Sequence, residues 1–227
     1  MDPDLASLNT DAEACGLAYR GCFHPEIEDV VPAFADGAAV ETLVLFGFVG
    51  ARQWPHFARS AEMADALPDP LDRWSRRMID ALGIRHGGSA LYPTQGPPWL
   101  PFQRWAMRAE PVYRSPLGVS IHPDYGLWHA YRGALAFRRR FVLPPRDPRP
   151  SPCESCVGKP CLQTCPVSAI RPDQYLVGTC AEHVGSSAGA GCLRFGCMAR
   201  RACPVGVEFR YHPEQAHFHM TAFMRRR

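Results

Sequence analysis

Eight of the ten cysteines fall between Cys153 and Cys203, after 130 residues that contain none. They form two sets of four. Cys153, Cys156, Cys161 and Cys165 come first, with Pro166 after the last. Cys180, Cys192, Cys197 and Cys203 follow, with Pro204 after the last. Thiolates are soft ligands that suit zinc and iron–sulfur chemistry. The N-terminus Met1-Asp2-Pro3-Asp4 is acidic and carries no export signal, and the longest apolar run, Thr42 to Ala51, is about half of the ~20 residues that a membrane helix needs. A cytoplasmic protein is therefore expected. In that reducing compartment clustered cysteines point to a metal or to catalysis before disulfides.

Bacterial ferredoxins space their ligands C-x2-C-x2-C-x3-C-P, with the last cysteine serving the other cluster. Both sets here end in Cys-Pro-Val, at 165–167 and 203–205, a weak internal repeat. The same crossover assigns Cys153, Cys156, Cys161 and Cys203 to one [4Fe–4S] cluster. Cys165, Cys180, Cys192 and Cys197 then hold a second. The gaps after Cys156, Cys192 and Cys197 are longer than the usual pattern. Zinc would accept two four-cysteine sites, but it does not ask for a proline after the last ligand. Cys15 and Cys22 have no other ligands around them and read as plain thiols.

The elements that position these residues divide at Leu143–Pro152, where five of ten residues are proline and regular structure is excluded. Two domains are expected, 1–147 and 148–227. In the first, residues 3–18 suit a helix and Val40–Val49 a strand buried on both faces. A helix with Asp69 as N-cap and Pro70 at its first position carries Leu71, Trp74, Met78 and Leu82 on one face, and Gly83 ends it. Strands over Ser89–Tyr92, Gly118–His122 and Leu127–Phe137 and a helix over Pro101–Arg108 complete an α+β layer fold. In the tail, His217 and His219 are two apart and face away from each other on a helix. They read, with His212, as part of a packed terminal segment.

An apolar share of 46% with 21% charged residues is ordinary for a folded domain, and a net charge of +3 gives no argument for a nucleic-acid partner. The runs Arg138–Arg140 and Arg225–Arg227 read as solvated faces.

The stretch Ser115-Pro-Leu-Gly-Val-Ser-Ile-His122-Pro-Asp-Tyr-Gly-Leu-Trp128-His-Ala-Tyr-Arg132-Gly133 resembles the CblC-type cobalamin-processing proteins, chiefly at Ile-His-Pro. The resemblance extends loosely over residues 38–145. The fusion to an eight-cysteine segment is similar to the core of epoxyqueuosine reductase and of reductive dehalogenases. It implies a flavin-reductase-like (nitroreductase-type) corrinoid-binding domain followed by a small bacterial-ferredoxin-like domain. The implied corrinoid contacts are His122, Tyr125, Trp128, Arg132 and Gly133, with Gly126 admitting close approach of the ring. Each also has a structural reading: a strand-end histidine bonded to a backbone carbonyl, core aromatics, an arginine paired to a carboxylate, and glycines at bends.

The resemblance implies two [4Fe–4S] clusters and cobalamin as cofactors, and a flavoprotein or ferredoxin reductase as electron donor. The function expected is reductive removal of the upper axial ligand of cobalamin. The alternatives are a cobalamin-dependent reductase of the epoxyqueuosine reductase or dehalogenase type, and a cofactor-free ferredoxin-type electron carrier. Epoxyqueuosine reductases usually carry further residues for tRNA, which sets the first reading ahead of that alternative.

Overall fold

The computed structural model describes residues 2–225. The N-terminal helix α1 (Pro3–Ala14) starts where the Asp2 side chain accepts from the backbone N–H of Asp4 at 3.0 Å. It ends sooner than the expected 3–18 because Gly16 turns the chain at φ 85°. A strand that the sequence reading missed, β1 (Ala18–Phe23), follows. Next come β2 (Thr42–Val49), the short helices α2 (Trp54–Ala58) and α3 (Ala61–Ala64), and the long α4 (Pro70–His86). After these stand β3 (Ser89–Leu91), α5 (Phe102–Ala109), the paired strands β4 (Tyr113–Arg114) and β5 (Ser120–Ile121), and β6 (His129–Phe137).

The main sheet has the order β1-β2-β6-β3, with β1 antiparallel to β2 and β3 antiparallel to β6. All eight residues of β2 are buried, as its apolar run implies. Alternation along the strand gives each face its own cover. Leu43 and Leu45 pack with Phe102 and Trp105 of α5. On the other face Phe48 meets Trp74 of α4 at 5.6 Å, and Trp74 meets Phe57 at 5.9 Å. Gly47 sits where β2 and β6 nearly touch, since a Cβ there would lie 1.9 Å from the Ala130 carbonyl oxygen.

Two details of α4 differ from expectation. Asp69 takes a left-handed conformation and makes no side-chain cap, so Pro70 alone sets the start. Gly83 is buried inside the helix, where a Cβ would meet the Gly88 carbonyl oxygen at 2.7 Å. The helix runs on to His86 and stops at Gly87, φ 71°. Arg85 and His86 then bind Asp11 of α1 at 3.0 and 2.8 Å.

The chain separates into two compact units. The first runs to Pro111 and resumes over Ala130–Pro148, and the second takes Val112–His129 and the chain from Arg149 onward. The expected division was a single one at 147/148, whereas the units also exchange at Val112 and Ala130, so the β4–β5 segment belongs with the cysteine-rich part. The second unit continues with β7 (Ile170–Arg171) paired to β8 (Gln174–Tyr175). The helices α6 (Val177–Gly185), α7 (Ala190–Phe195), α8 (Met198–Arg201) and α9 (Pro213–Arg225) follow. No described helix is long and apolar enough to cross a membrane.

Candidate functional site

In the second unit Cys153, Cys156, Cys161 and Cys203 line one cavity, together with Ile121, Leu127, Pro204 and Val205. Hairpin β4–β5 supplies its apolar wall. Ile121, Leu127 and Cys203 form a buried cluster on which Leu117, Cys153 and Val205 pack. Gly126 makes this approach possible: its φ is 56°, and a Cβ would stand 2.0 Å from the Val205 carbonyl oxygen. The glycine singled out for closeness to a ring is thus close to the Cys-Pro-Val turn.

Burial pushes the thiols of Cys153 and Cys161 above their ordinary range, and the thiols of Cys203 and Cys156 push both further. Cys165, Cys180, Cys192 and Cys197 make a second neighbourhood. Burial raises Cys192, with Cys180 and Cys165 adding to it, and burial raises Cys197, with Cys180 and Cys192 adding. Cys153, Cys156, Cys161 and Cys203 are thus neighbours around one cavity, and Cys165, Cys180, Cys192 and Cys197 are neighbours elsewhere in the unit.

Backbone N–H groups point at the sulfurs: Leu162 at Cys161, Met198 at Cys192, Val205 at Cys203, and Ala199 and Arg200 at Cys197. Ala169 N–H donates to Cys165 Sγ at 3.3 Å. Such donors favour thiolate and stabilise negative sulfur. Among the described residues no three or more His, Cys, Asp or Glu side chains are gathered to hold a single metal ion. The first four thiols line one cavity, an arrangement that suits a cubane, in which each cysteine meets a different iron.

No protein-family model matches the sequence, and no curated protein does. Solved structures do match. An epoxyqueuosine reductase with a tRNA-Tyr epoxyqueuosine-modified stem loop is 17% identical, over 93% of this chain and 70% of its own, at a TM-score of 0.50. The Streptococcus thermophilus enzyme is 14% identical over the same shares, also at 0.50. The Bacillus subtilis enzyme is 16% identical over 93% and 68%, at 0.52. The chain shares an α+β fold with epoxyqueuosine reductases. At this identity the likeness concerns the fold.

The side chains expected around a corrinoid are placed as follows. His122 is 5% exposed and pairs through its backbone with Gly126 across a tight turn. Its Nδ1 accepts the backbone N–H of Asp124 at 3.0 Å and that of Tyr125 at 3.4 Å. At Nδ1 the ring thus accepts from N–H groups of its own turn. Nδ1 is therefore the unprotonated nitrogen, and in the neutral ring Nε2 carries the hydrogen. Tyr125 stacks on His122 at 4.2 Å and meets Phe209 at 5.1 Å. Trp128 is 3% exposed and lies under the Arg200 guanidinium at 4.6 Å.

Arg132 belongs to the first unit, where it binds Asp72 and donates to Ser75 Oγ at 2.9 Å. Gly133 is there a packing glycine: a Cβ would meet Ile79 Cδ1 at 2.6 Å. Sequence reasoning missed a further group in that unit. Arg20 is wholly buried and donates to Glu110 at 2.6 Å and to the Phe48 carbonyl at 2.9 Å, and Tyr131 also donates to Glu110. Burial raises the Glu110 carboxyl above its ordinary 4.5 even though Arg20 and Tyr131 pull it down. An Arg and a Glu 90 positions apart leave no local pattern by which to pair them.

Cys15 donates to the Ala12 carbonyl at 3.2 Å and Cys22 accepts from Tyr19 at 3.0 Å, so both are placed as plain thiols. Arg138, Arg139 and Arg140 are paired to Asp36, Asp4 and Glu41, which makes that run a neutralised face. Of the second basic run, Arg226 and Arg227 lie outside the described residues. His217 sits on α9 and contacts the Leu193 carbonyl of α7 at 3.2 Å.

Proposed function

We propose that this chain is an iron–sulfur reductase of the epoxyqueuosine reductase kind, which holds two [4Fe–4S] clusters and passes their electrons to a bound corrinoid. The observation that carries the reading is the division of eight cysteines into two fours on a fold shared with those enzymes. The donor set fits the clusters. Cys153, Cys156, Cys161 and Cys203 hold one, and Cys165, Cys180, Cys192 and Cys197 hold the other. When bound, each cluster supplies a one-electron carrier.

The chain's own groups prepare these sites. Each cysteine must lose its proton to bind, so loading releases protons and is favoured at higher pH. The N–H groups aimed at sulfur hold the thiolates once formed. Ile121, Leu127 and Val205 keep water from the first set, and with hydrogen bonding to sulfur this exposure sets the potential.

The corrinoid finds less support in the side chains. Arg132 and Gly133 are committed within the first unit, and His122 uses Nδ1 to hold its own turn. The corrinoid half of the proposal therefore rests on the fold shared with epoxyqueuosine reductases rather than on these three side chains. Removal of the upper axial ligand of cobalamin draws its support from the Ile-His-Pro block alone, so the epoxyqueuosine reductase kind is the reading we favour.

The test is retention of cobalamin by the cluster-loaded protein on an anaerobic desalting column, then reduction of the retained cobalt. Retention with reduction that is lost in Cys197→Ser is the expected result. Clusters without retained cobalamin would make the chain an electron carrier and refute the corrinoid half of the proposal. The same preparation, mixed with an epoxyqueuosine-modified tRNA stem loop, tests the expectation that nucleic acid is not a partner.

A further inference from the structure

A second cavity of the cysteine-rich unit has no cysteine in its lining. Its walls are Trp128, Phe195, Arg201, Arg210, Tyr211 and Pro213, and its volume is about 120 Å³. Trp128 is 3% exposed, and its indole Nε1–H is buried without a hydrogen-bond partner. Buried donors are rarely left so, because the missing bond costs free energy that an acceptor restores.

The ring is held in place. Arg200 lies over both Trp128 and Tyr211 at 4.6 Å while donating to the Leu127 carbonyl, and the Tyr211 ring meets Trp128 edge-on at 5.3 Å. Arg200 is thereby occupied, whereas Arg201, over the Phe195 ring at 5.8 Å, and Arg210 have further N–H groups to donate. Neither is paired to a described carboxylate. Arg210 spends one N–H on the Arg201 carbonyl at 2.5 Å, and Glu208 and Glu214, the carboxylates nearest along the chain, pair with neither arginine among the described residues.

Every charged or unpaired group in the lining is therefore a donor: one indole N–H and two guanidinium forks. A cation is repelled there, and an apolar ligand would leave the indole unsatisfied. An oxyanion with several acceptor oxygens can meet all three at once, and guanidinium forks match its geometry. We propose that this pocket binds a phosphate-class oxyanion, either free or as the ester end of a small molecule. The aromatic walls of Phe195 and Tyr211 would face an ester's organic part. The inference stands on the pocket and does not depend on the corrinoid.

The experiment is anaerobic calorimetric titration of the cluster-loaded protein with inorganic phosphate, at constant ionic strength in chloride, and then with phenyl phosphate. Saturable binding of one phosphate per chain is expected. Each of Arg201→Gln, Arg210→Gln and Trp128→Phe should weaken it on the order of tenfold, the scale of one lost hydrogen bond to a charged group. Both arginines are exposed, so those variants test binding without disturbing the core. Tighter binding of phenyl phosphate assigns an ester ligand, and tighter binding of inorganic phosphate assigns the free anion. No saturable heat with either compound overturns the proposal, as does unchanged affinity in the arginine variants.

Discussion

Replacing Arg20 with methionine removes the cation from the interior of the first unit while keeping most of its length. Hydrogen bonds go with it to Glu110 Oε1 at 2.6 Å, to Glu110 Oε2 at 3.4 Å and to the Phe48 carbonyl at 2.9 Å. Arg20 has no exposed side-chain surface, so Glu110 is left as a buried carboxylate without its counter-ion. Breaking a buried pair in this way costs about 3–5 kcal/mol, or roughly 6–20 °C in the unfolding midpoint of a chain this long. Four of the five tryptophans, Trp54, Trp74, Trp99 and Trp105, lie in this unit, so their fluorescence reports its unfolding.

The loss depends on pH. Glu110 already titrates above 4.5 because burial opposes its charge, and Arg20 is the largest influence holding it down. Without Arg20 the folded-state value rises further, so the folded protein keeps a proton that the unfolded chain has released. Stability then falls with rising pH over a wider window than in the parent. The gap between variant and parent should be small near about pH 5 and larger near about pH 8. An equal gap at both values, or a midpoint within about 2 °C of the parent, would refute the reasoning.

Gly126→Ala places a Cβ against the Val205 carbonyl at a left-handed φ. It should speed iron loss from the first cysteine set in air, followed by the decay of visible absorbance; decay at the parent's rate counts against the packing argument. Glu62 is held at about 2, chiefly by its hydrogen bonds to Arg77. The stabilisation is present above about 4.5 and lost as pH falls toward about 2, so Arg77→Gln should flatten the acid side of the stability profile. Tryptophan fluorescence across that range measures it. Arg132→Gln should lower the unfolding midpoint, because Asp72 and Ser75 lose their partner, yet leave cobalamin retention unchanged. Weaker retention with an unchanged midpoint would restore Arg132 as a contact.

The elements with strong local signals were legible in the sequence. The run 42–49 reads as a strand buried on both faces because nearly every residue is apolar, and Pro70 marks its helix start. β1 was not legible, since Ala-Tyr-Arg-Gly-Cys-Phe mixes a buried arginine and a glycine into a strand whose partner lies more than twenty residues on. Gly83 misled because a glycine that admits a neighbour looks, in sequence, like one that ends a helix. The expectation that Cys203 joins Cys153, Cys156 and Cys161 came from the ferredoxin crossover and not from closeness in sequence, since Cys197 is its nearest cysteine along the chain. The assignment of Val112–His129 to the second unit was not legible, because packing by Ile121 and Leu127 on the Cys203 turn decides it and no composition break marks it.

The central claim is that two fours of cysteines hold two separate clusters. Iron and acid-labile sulfide should be counted in anaerobically reconstituted parent, Cys203→Ser and Cys192→Ser. The parent should hold about eight irons and eight sulfides per chain. Each variant should keep about four of each, with the surviving cluster differing between them in its electron paramagnetic resonance signal once reduced. Stoichiometric zinc with no visible absorbance in the parent would contradict the account, as would two variants that lose the same cluster.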